Sequence, residues 1–210
     1  MTTVKICGIN APEAFDSALD AGADYLGFVF FPPSPRYITP DTAAALSRRT
    51  KGGPPRVGLF VNPTAEMIEQ VLAGVRLDAL QIYGVRNQLA TLRARFGLPV
   101  WAAVGVSTHG DLPVTTLGAD RLVLEAKPPA GATRPGGNAT TFDWSILHGW
   151  TPPAPWLLAG GLTPENVAQA IRETGATAVD VSSGVESARG VKDPAMIRRF
   201  IAAAKEAAPH

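Results

Sequence analysis

The sequence predicts a single-domain α/β protein spanning residues 1–210, in which eight parallel strands close into a (β/α)8 barrel. Three observations predict it. Eight short apolar runs of strand length recur along the 210 residues, and amphipathic stretches rich in alanine and leucine separate them. The runs are nearly continuous in apolar residues, as strands are when helices cover a parallel sheet. Shared among eight units, the 210 residues leave about 26 each, close to the minimum for a strand, a helix and two short loops. A doubly wound open sheet is the alternative; it usually has fewer strands, and its Gly-x-Gly-x-x-Gly fingerprint is absent after the first strand.

The expected strands are Val4–Cys7, Tyr25–Phe30, Val57–Val61, Leu77–Ile82, Val100–Val104, Arg121–Glu125, Trp156–Ala159 and Ala178–Val181. Helices are expected at Glu13–Ala21, Thr42–Arg49, Ala65–Ala73, Gln88–Phe96, Glu165–Glu173 and Ala195–Ala207, with the fifth and sixth crossovers the least regular. Helix starts are marked by Asn10-Ala11-Pro12-Glu13, Thr39-Pro40-Asp41, Thr163-Pro164-Glu165 and Asp193-Pro194, and by Thr64. At such starts a side-chain oxygen takes a free backbone N–H, a proline at the first position loses nothing, and an early carboxylate suits the helix dipole. Gly22, Gly97 and Gly175 end helices just before the next strand. These placements account for many of the 21 glycines and 19 prolines, a content that in bulk suggests disorder.

Composition narrows function. Nineteen Lys and Arg against eighteen Asp and Glu give a net charge of +1, without the basic field of nucleic-acid or anionic-membrane binders. A lone cysteine, Cys7, excludes an intramolecular disulfide and a multi-cysteine zinc site, and His109, His148 and His210 form no ligand pattern. The longest apolar run, Tyr25–Phe31, is far short of the roughly 18 residues a membrane helix needs. Lys5 interrupts any signal-peptide core at Met1–Gly8, so a cytoplasmic protein is expected, monomer or homodimer, with no nucleic-acid or membrane partner.

In a barrel, chemistry sits where strands end and the following loops begin. Cys7 closes the first strand with Lys5 on the same inward face, and reads as a small buried hydrophobe or as a base activated by a nearby cation. Glu125 closes the sixth strand, either as a general acid or as an ion-pair partner of Lys5 or Lys127. Asp180 closes the eighth, with the same choice between substrate contact and internal salt bridge. The turns Gly160-Gly161 and Ser182-Ser183-Gly184 follow strands seven and eight, where backbone N–H groups, and a short helix starting near Ser183, would hold a phosphate. Arg36 ends the proline-stiffened loop Phe31–Arg36 and suits carboxylate capture or a plain surface position. Gln81, read as ending strand four, and Tyr83 beyond it bond a ligand or fill the mouth.

Together these residues resemble the phosphoribosylanthranilate isomerase family of tryptophan biosynthesis, a TIM-barrel family. The resemblance runs nearly the whole chain through Val4-Lys5-Ile6-Cys7-Gly8, Gly27-Phe28-Val29-Phe30, Ser34-Pro35-Arg36-Tyr37-Ile38, Val57–Asn62, Thr141-Phe142-Asp143-Trp144, Ala159-Gly160-Gly161-Leu162 and Asp180–Glu186. It implies an Amadori rearrangement of a small phosphorylated substrate without cofactor or metal. Glu125 would be the acid, Cys7 the base, Arg36 the carboxylate clamp, the two glycine-rich turns the phosphate site, and Asp180 a hydroxyl contact. The chain departs from the family's pattern in Glu125 for an aspartate, Tyr83 for a histidine, and Ala139 for a glycine in the loop before Thr141. A related aminoaldose isomerase of histidine biosynthesis needs acids on strands one and five, which end here in Cys7 and Val104. A phosphate-binding barrel without turnover is the non-enzymatic alternative.

Overall fold

A computed structural model describes residues 1–127, 136 and 141–207. Eight parallel strands form one closed barrel in chain order: β1 (Thr3–Cys7), β2 (Tyr25–Val29), β3 (Arg56–Val61), β4 (Ala79–Tyr83), β5 (Val100–Val106), β6 (Arg121–Ala126), β7 (Trp156–Leu158) and β8 (Ala178–Val181). Helices α1 (Pro12–Asp20), α2 (Pro40–Ser47), α3 (Ala65–Gly74), α4 (Leu89–Phe96), α5 (Val167–Thr174) and α6 (Pro194–Glu206) form the outer layer. All eight expected strands are present, with ends shifted by up to two residues. Among the described residues, the crossovers after β5 and β6 hold only 3-10 turns, at His109–Asp111 and Trp144–Leu147.

Thr39, Thr64 and Asp193 cap α2, α3 and α6 through their side-chain oxygens. Asn10 does not cap α1: Ala11 stands at the cap, and the Asn10 amide donates instead to the Gly190 carbonyl at 3.1 Å, a tertiary bond. The Thr163-Pro164-Glu165 start is also delayed. Asn166 turns the chain first, accepting from Thr163 N at 2.8 Å and donating to the Gly161 carbonyl at 3.0 Å, and α5 begins at Val167.

The barrel interior is layered. Val57, Ala79, Trp101, Val123, Leu157 and Ala178 fill its lower half, and Cys7, Val29, Leu59, Tyr83 and Ala103 its upper half. Trp101 plugs the bottom: Tyr25 meets it edge-on at 5.0 Å, and the Arg121 guanidinium lies 5.5 Å over its ring.

The lower rim sets register through an alternation of residue types. Asp24, Asp78 and Asp120 stand just before β2, β4 and β6. Their carboxylates accept from Val4 N, Arg56 N and Val100 N at 2.8 to 2.9 Å, and their own amides donate back to the carbonyls of the same three residues. Pro55, Pro99 and Pro155 stand just before β3, β5 and β7, and each contributes only a carbonyl, accepting from Leu26 N, Leu80 N and Leu122 N. In the fourth pair Thr177 precedes β8, and its carbonyl accepts from Thr3 N at 2.9 Å. Trp150 and Trp156 meet edge-on at 5.4 Å beside the lower rim.

Removing the Trp101 side chain leaves a void across the lower layer. Trp101→Ala is expected to cost about 3–5 kcal/mol of unfolding free energy in urea titrations, with the barrel still forming.

Candidate active site

A cleft enclosing about 660 Å³ of space, counted out to open solvent, lies at the C-terminal mouth. Its walls include Cys7, Arg36, Tyr83, Glu125, Asp180 and Ser182, carried by β1, β2, β4, β6 and β8 or the loops beyond them.

Cys7 reaches this place because its neighbour on β2 is Gly27. The two pair across the sheet, and a Cβ on Gly27 would come within 2.9 Å of the Cys7 sulfur. Beneath the thiol, Lys5 is fully buried and its Nζ sits 2.9 Å from Asp180 Oδ1 across the β1–β8 seam, where the register pairs the two residues directly. Burial pushes the ammonium down, but Asp180 and Cys7 outweigh it and hold Lys5 above its ordinary range. Burial likewise pushes the Cys7 thiol up; Lys5 pulls it back, Asp180 raises it again, and the net displacement is upward.

Glu125 stands on β6 with 5% of its surface exposed. Burial raises its carboxyl to about 8, with hydrogen bonding from Tyr83 drawing it partly back down. Tyr83 itself is held well above the ordinary phenol value by burial and by Glu125. Gly136 roofs this pair: a Cβ there would lie 2.7 Å from Glu125 Oε2 and 2.8 Å from the Tyr83 hydroxyl. A side chain at 136 would therefore press on both. Ala139, the other sequence departure in this loop, lies outside the described residues.

The ion-pair reading of Glu125 is overturned. Lys5 pairs with Asp180, and Lys127 pairs with Asp111 outside the mouth. Asp180 keeps both expected roles open at once, because it binds Lys5 and also lines the cleft. Arg36 is no surface residue: it is 4% exposed, lines the cleft, and is gripped by Glu186 through Nε at 2.6 Å and Nη2 at 2.9 Å. Gly160 and Gly161 line the cleft, and at φ +84° a Cβ on Gly160 would come within 2.8 Å of Ala126 N. Ser182 and Ser183 face the same space, although the expected helix at Ser183 is a single 3-10 turn, Ser183–Val185. Gly184 is not in the cleft wall. Its role is packing, since a Cβ would overlap the Leu162 carbonyl oxygen and separate the two turns.

Gln81 also departs from its expected place. Because β4 runs on to Tyr83, Gln81 lies mid-strand inside the barrel, fully buried and outside the cleft wall, with neither amide atom hydrogen-bonded within the protein. Sequence reasoning missed Lys192, whose only signal was a lysine two residues before the Pro194 helix start, and the role of Glu186. Among the described residues, no group of three or more His, Cys, Asp or Glu side chains is placed to hold a metal.

A closed (β/α)8 barrel whose mouth carries a buried thiol, a carboxyl that stays protonated to near pH 8 and paired glycine-rich turns defines an enzyme of the barrel class working by acid–base chemistry. The sequence profile described as N-(5'-phosphoribosyl)anthranilate (PRA) isomerase matches residues 4–203. The chain is 55% identical over 207 residues to the N-(5'-phosphoribosyl)anthranilate isomerase of Acidiphilium cryptum, covering 99% of this chain and 100% of the relative. It is 51% identical to that of Rhodospirillum rubrum, covering 98% of each. Among solved structures, phosphoribosyl anthranilate isomerase from Thermotoga maritima superposes with a TM-score of 0.83 at 38% identity, covering 98% of this chain and 99% of that one. A phosphoribosyl anthranilate isomerase in complex with reduced 1-(o-carboxyphenylamino)-1-deoxyribulose 5-phosphate superposes with a TM-score of 0.82 at 37% identity, with the same coverage. The chain therefore belongs to the N-(5'-phosphoribosyl)anthranilate isomerase family.

Lys5→Met strands a buried carboxylate at Asp180. It is expected to cost about 3–5 kcal/mol in denaturant titrations, much of it recovered when Asp180→Asn is added.

Proposed function

We propose that the chain catalyses the Amadori rearrangement of N-(5-phosphoribosyl)anthranilate to 1-(2-carboxyphenylamino)-1-deoxyribulose 5-phosphate in tryptophan biosynthesis. The juxtaposition that carries this reading is Cys7 and Glu125 in the wall of one cleft, with Arg36 and the Gly160-Gly161 and Ser182-Ser183 turns around them. The carboxyl of Glu125 gives its proton to the furanose ring oxygen as the ring C1–O bond breaks, leaving the anthranilate nitrogen as an iminium. The thiolate of Cys7 then takes the proton from C2, and that electron pair forms the C1–C2 double bond of an enol-amine. Ketonisation moves a proton from the C2 hydroxyl to C1. Exchange with solvent returns a proton to Glu125 and removes one from Cys7, so substrate and product differ only in bonding. No cofactor or metal takes part in this scheme.

Arg36 holds the anthranilate carboxylate, the two turns hold the phosphate, and Asp180 contacts a sugar hydroxyl. Fixing both anionic ends orients C2 toward the thiol, a contribution that reaches several kcal/mol of barrier in well-oriented systems. We further propose that the enzyme works in the cytoplasm, as a monomer or homodimer, on a small phosphorylated molecule. One neighbouring structure is of monomers generated from a dimeric phosphoribosylanthranilate isomerase of Thermotoga maritima. Among the described residues no helix is long and apolar enough to cross a membrane.

Fluorescence-monitored turnover of freshly generated substrate tests the assignment. Cys7→Ala and Glu125→Ala are each expected to lower kcat by roughly 10²–10⁴-fold while the fold persists, and Glu125→Asp to retain or improve it. Arg36→Met is expected chiefly to raise KM. Turnover intact in Glu125→Ala would place the acid elsewhere, and a wild type that binds the reduced product without turnover would make the protein a binding barrel.

The pH profile carries a separate expectation. With the thiol above its ordinary value and the carboxyl near 8, thiolate together with neutral carboxyl is the minor protonation state. The profile of kcat/KM then rises with a midpoint near 8 that belongs to Glu125, and falls only at the higher value of Cys7. Tyr83→Phe removes the hydrogen bond that draws the carboxyl down, so the rising limb is expected to move to higher pH. An unmoved limb would separate Tyr83 from the acid.

A further inference from the structure

Beyond β8 the chain forms an antiparallel hairpin, β9 (Glu186–Ala188) and β10 (Val191–Lys192), before entering α6. This hairpin carries two buried charges that the reaction scheme leaves without a role: the side chains of Glu186 and Lys192 are 5% and 0% exposed. Glu186 sits between two cations. Its Oε1 accepts from Arg36 Nε at 2.6 Å and from Lys192 Nζ at 2.8 Å, and its Oε2 accepts from Arg36 Nη2 at 2.9 Å and from Gly190 N at 3.0 Å. Lys192 continues the chain, donating to the Ser182 carbonyl at 2.8 Å and to the Ser182 hydroxyl at 3.2 Å. A line of buried charge therefore runs from the loop after β2 to the turn after β8.

We propose that Glu186 is a positioning residue which, through Arg36 on one side and Lys192 on the other, fixes the spacing between the two anion-binding ends of the site. The proposal rests on the substrate assignment above, in which Arg36 takes the carboxylate and the Ser182-Ser183 turn takes the phosphate.

Three features support a clamp rather than an incidental ion pair. First, both ends need holding. An arginine on a loop has many rotamers, and the bidentate grip on Nε and Nη2 fixes the plane of its guanidinium. Ser182 has φ −128° and ψ −83°, outside the regular backbone regions, and the lysine bonds to both of its oxygens. Second, the hairpin tip is seated against the loop after β2 and tied to the loop after β1. Gly190 has φ +83°, a Cβ on it would overlap the Pro35 carbonyl oxygen one residue before Arg36, and its own carbonyl accepts from Asn10. Third, the charge is kept. Burial opposes ionisation of Glu186, but Arg36, Lys192 and the Gly190 amide outweigh it and bring the carboxyl to about 2. Without that charge, Arg36 and Lys192 would lose the carboxylate that stands between them.

The test is Glu186→Gln, which keeps the shape, removes the charge and turns an amide donor toward a cation. KM for N-(5-phosphoribosyl)anthranilate and the Kd of reduced 1-(o-carboxyphenylamino)-1-deoxyribulose 5-phosphate are expected to rise about tenfold or more, with a much smaller loss in kcat. Competition by anthranilate and by inorganic phosphate reads the two ends separately, and both inhibition constants are expected to rise. A rise for anthranilate alone would reduce Glu186 to a local support of Arg36 and overturn the coupling. Unchanged KM and Kd, with only a lower Tm, would overturn the proposal outright.

Should Glu186→Gln fail to fold, Gly190→Ala leaves both charges in place and shifts only the hairpin tip against Pro35. It is expected to raise KM and the analogue's Kd in the same sense, and unchanged values in that variant would also overturn the clamp. The substrate assignment fails separately. A wild type that binds the reduced analogue without turnover removes the isomerase reading while the analogue's Kd still decides the clamp; a wild type that does not bind it removes both.

Discussion

The seam where β8 meets β1 closes the barrel, and it closes over a buried ammonium. Lys5 and Asp180 pair directly across that seam at 2.9 Å, in the part of the interior where the neighbouring layers are filled by aliphatic and aromatic side chains. A charge there is tolerable only because a carboxylate faces it and a thiol stands beside it. Asp180 of this pair also lines the cleft. Cys7 sits two residues further along β1, on the face that Lys5 already occupies, so the cation that secures closure also counters the effect of burial on the thiol. Chain closure and the electrostatics of the thiol depend on one side chain.

On the opposite wall the electrostatics run the other way. Burial outweighs the hydrogen bond from Tyr83 and the charge of Lys5, and the environment of Glu125 favours the neutral acid. Glu125 and Tyr83, two of the three departures from the pattern that the resemblance implies, are neighbours under the same Gly136. The longer carboxyl and the phenol fill one space together, and the glycine above them leaves no room for a further side chain. The substitutions are thus parts of one local arrangement.

Much of this was legible in the sequence because it is written in short-range rules. Apolar runs, prolines after polar caps and glycines at helix ends located all eight strands and most helices, and strand alternation sent Cys7, Glu125 and Asp180 inward. Errors arose where a distant partner decided the outcome. Asn10 looked like a cap but was claimed by Gly190, 180 residues away. Gln81 looked like a strand end because the run Leu77–Ile82 gave no sign that β4 starts two residues later and continues to Tyr83. Arg36 could be placed on its loop, but Glu186 lies 150 residues further on, and no local pattern pairs them. Ion-pair partners across a barrel mouth follow from closure, which a sequence encodes only in aggregate.

The alternation of aspartate and proline at the lower rim bears on how such a chain can change. Each aspartate ties a strand to the one before it with two reciprocal bonds, whereas each proline offers a single carbonyl to the strand behind. The repeating element of the rim is therefore two strands long, although the repeating element of the fold is one. Duplicating or excising a single β/α unit would set two prolines or two aspartates side by side and leave one junction without its donors. Accretion or loss in pairs between β1 and β7 would preserve the alternation, whereas the closing junction, where Thr177 precedes β8 and bonds forward to Thr3, lies outside it.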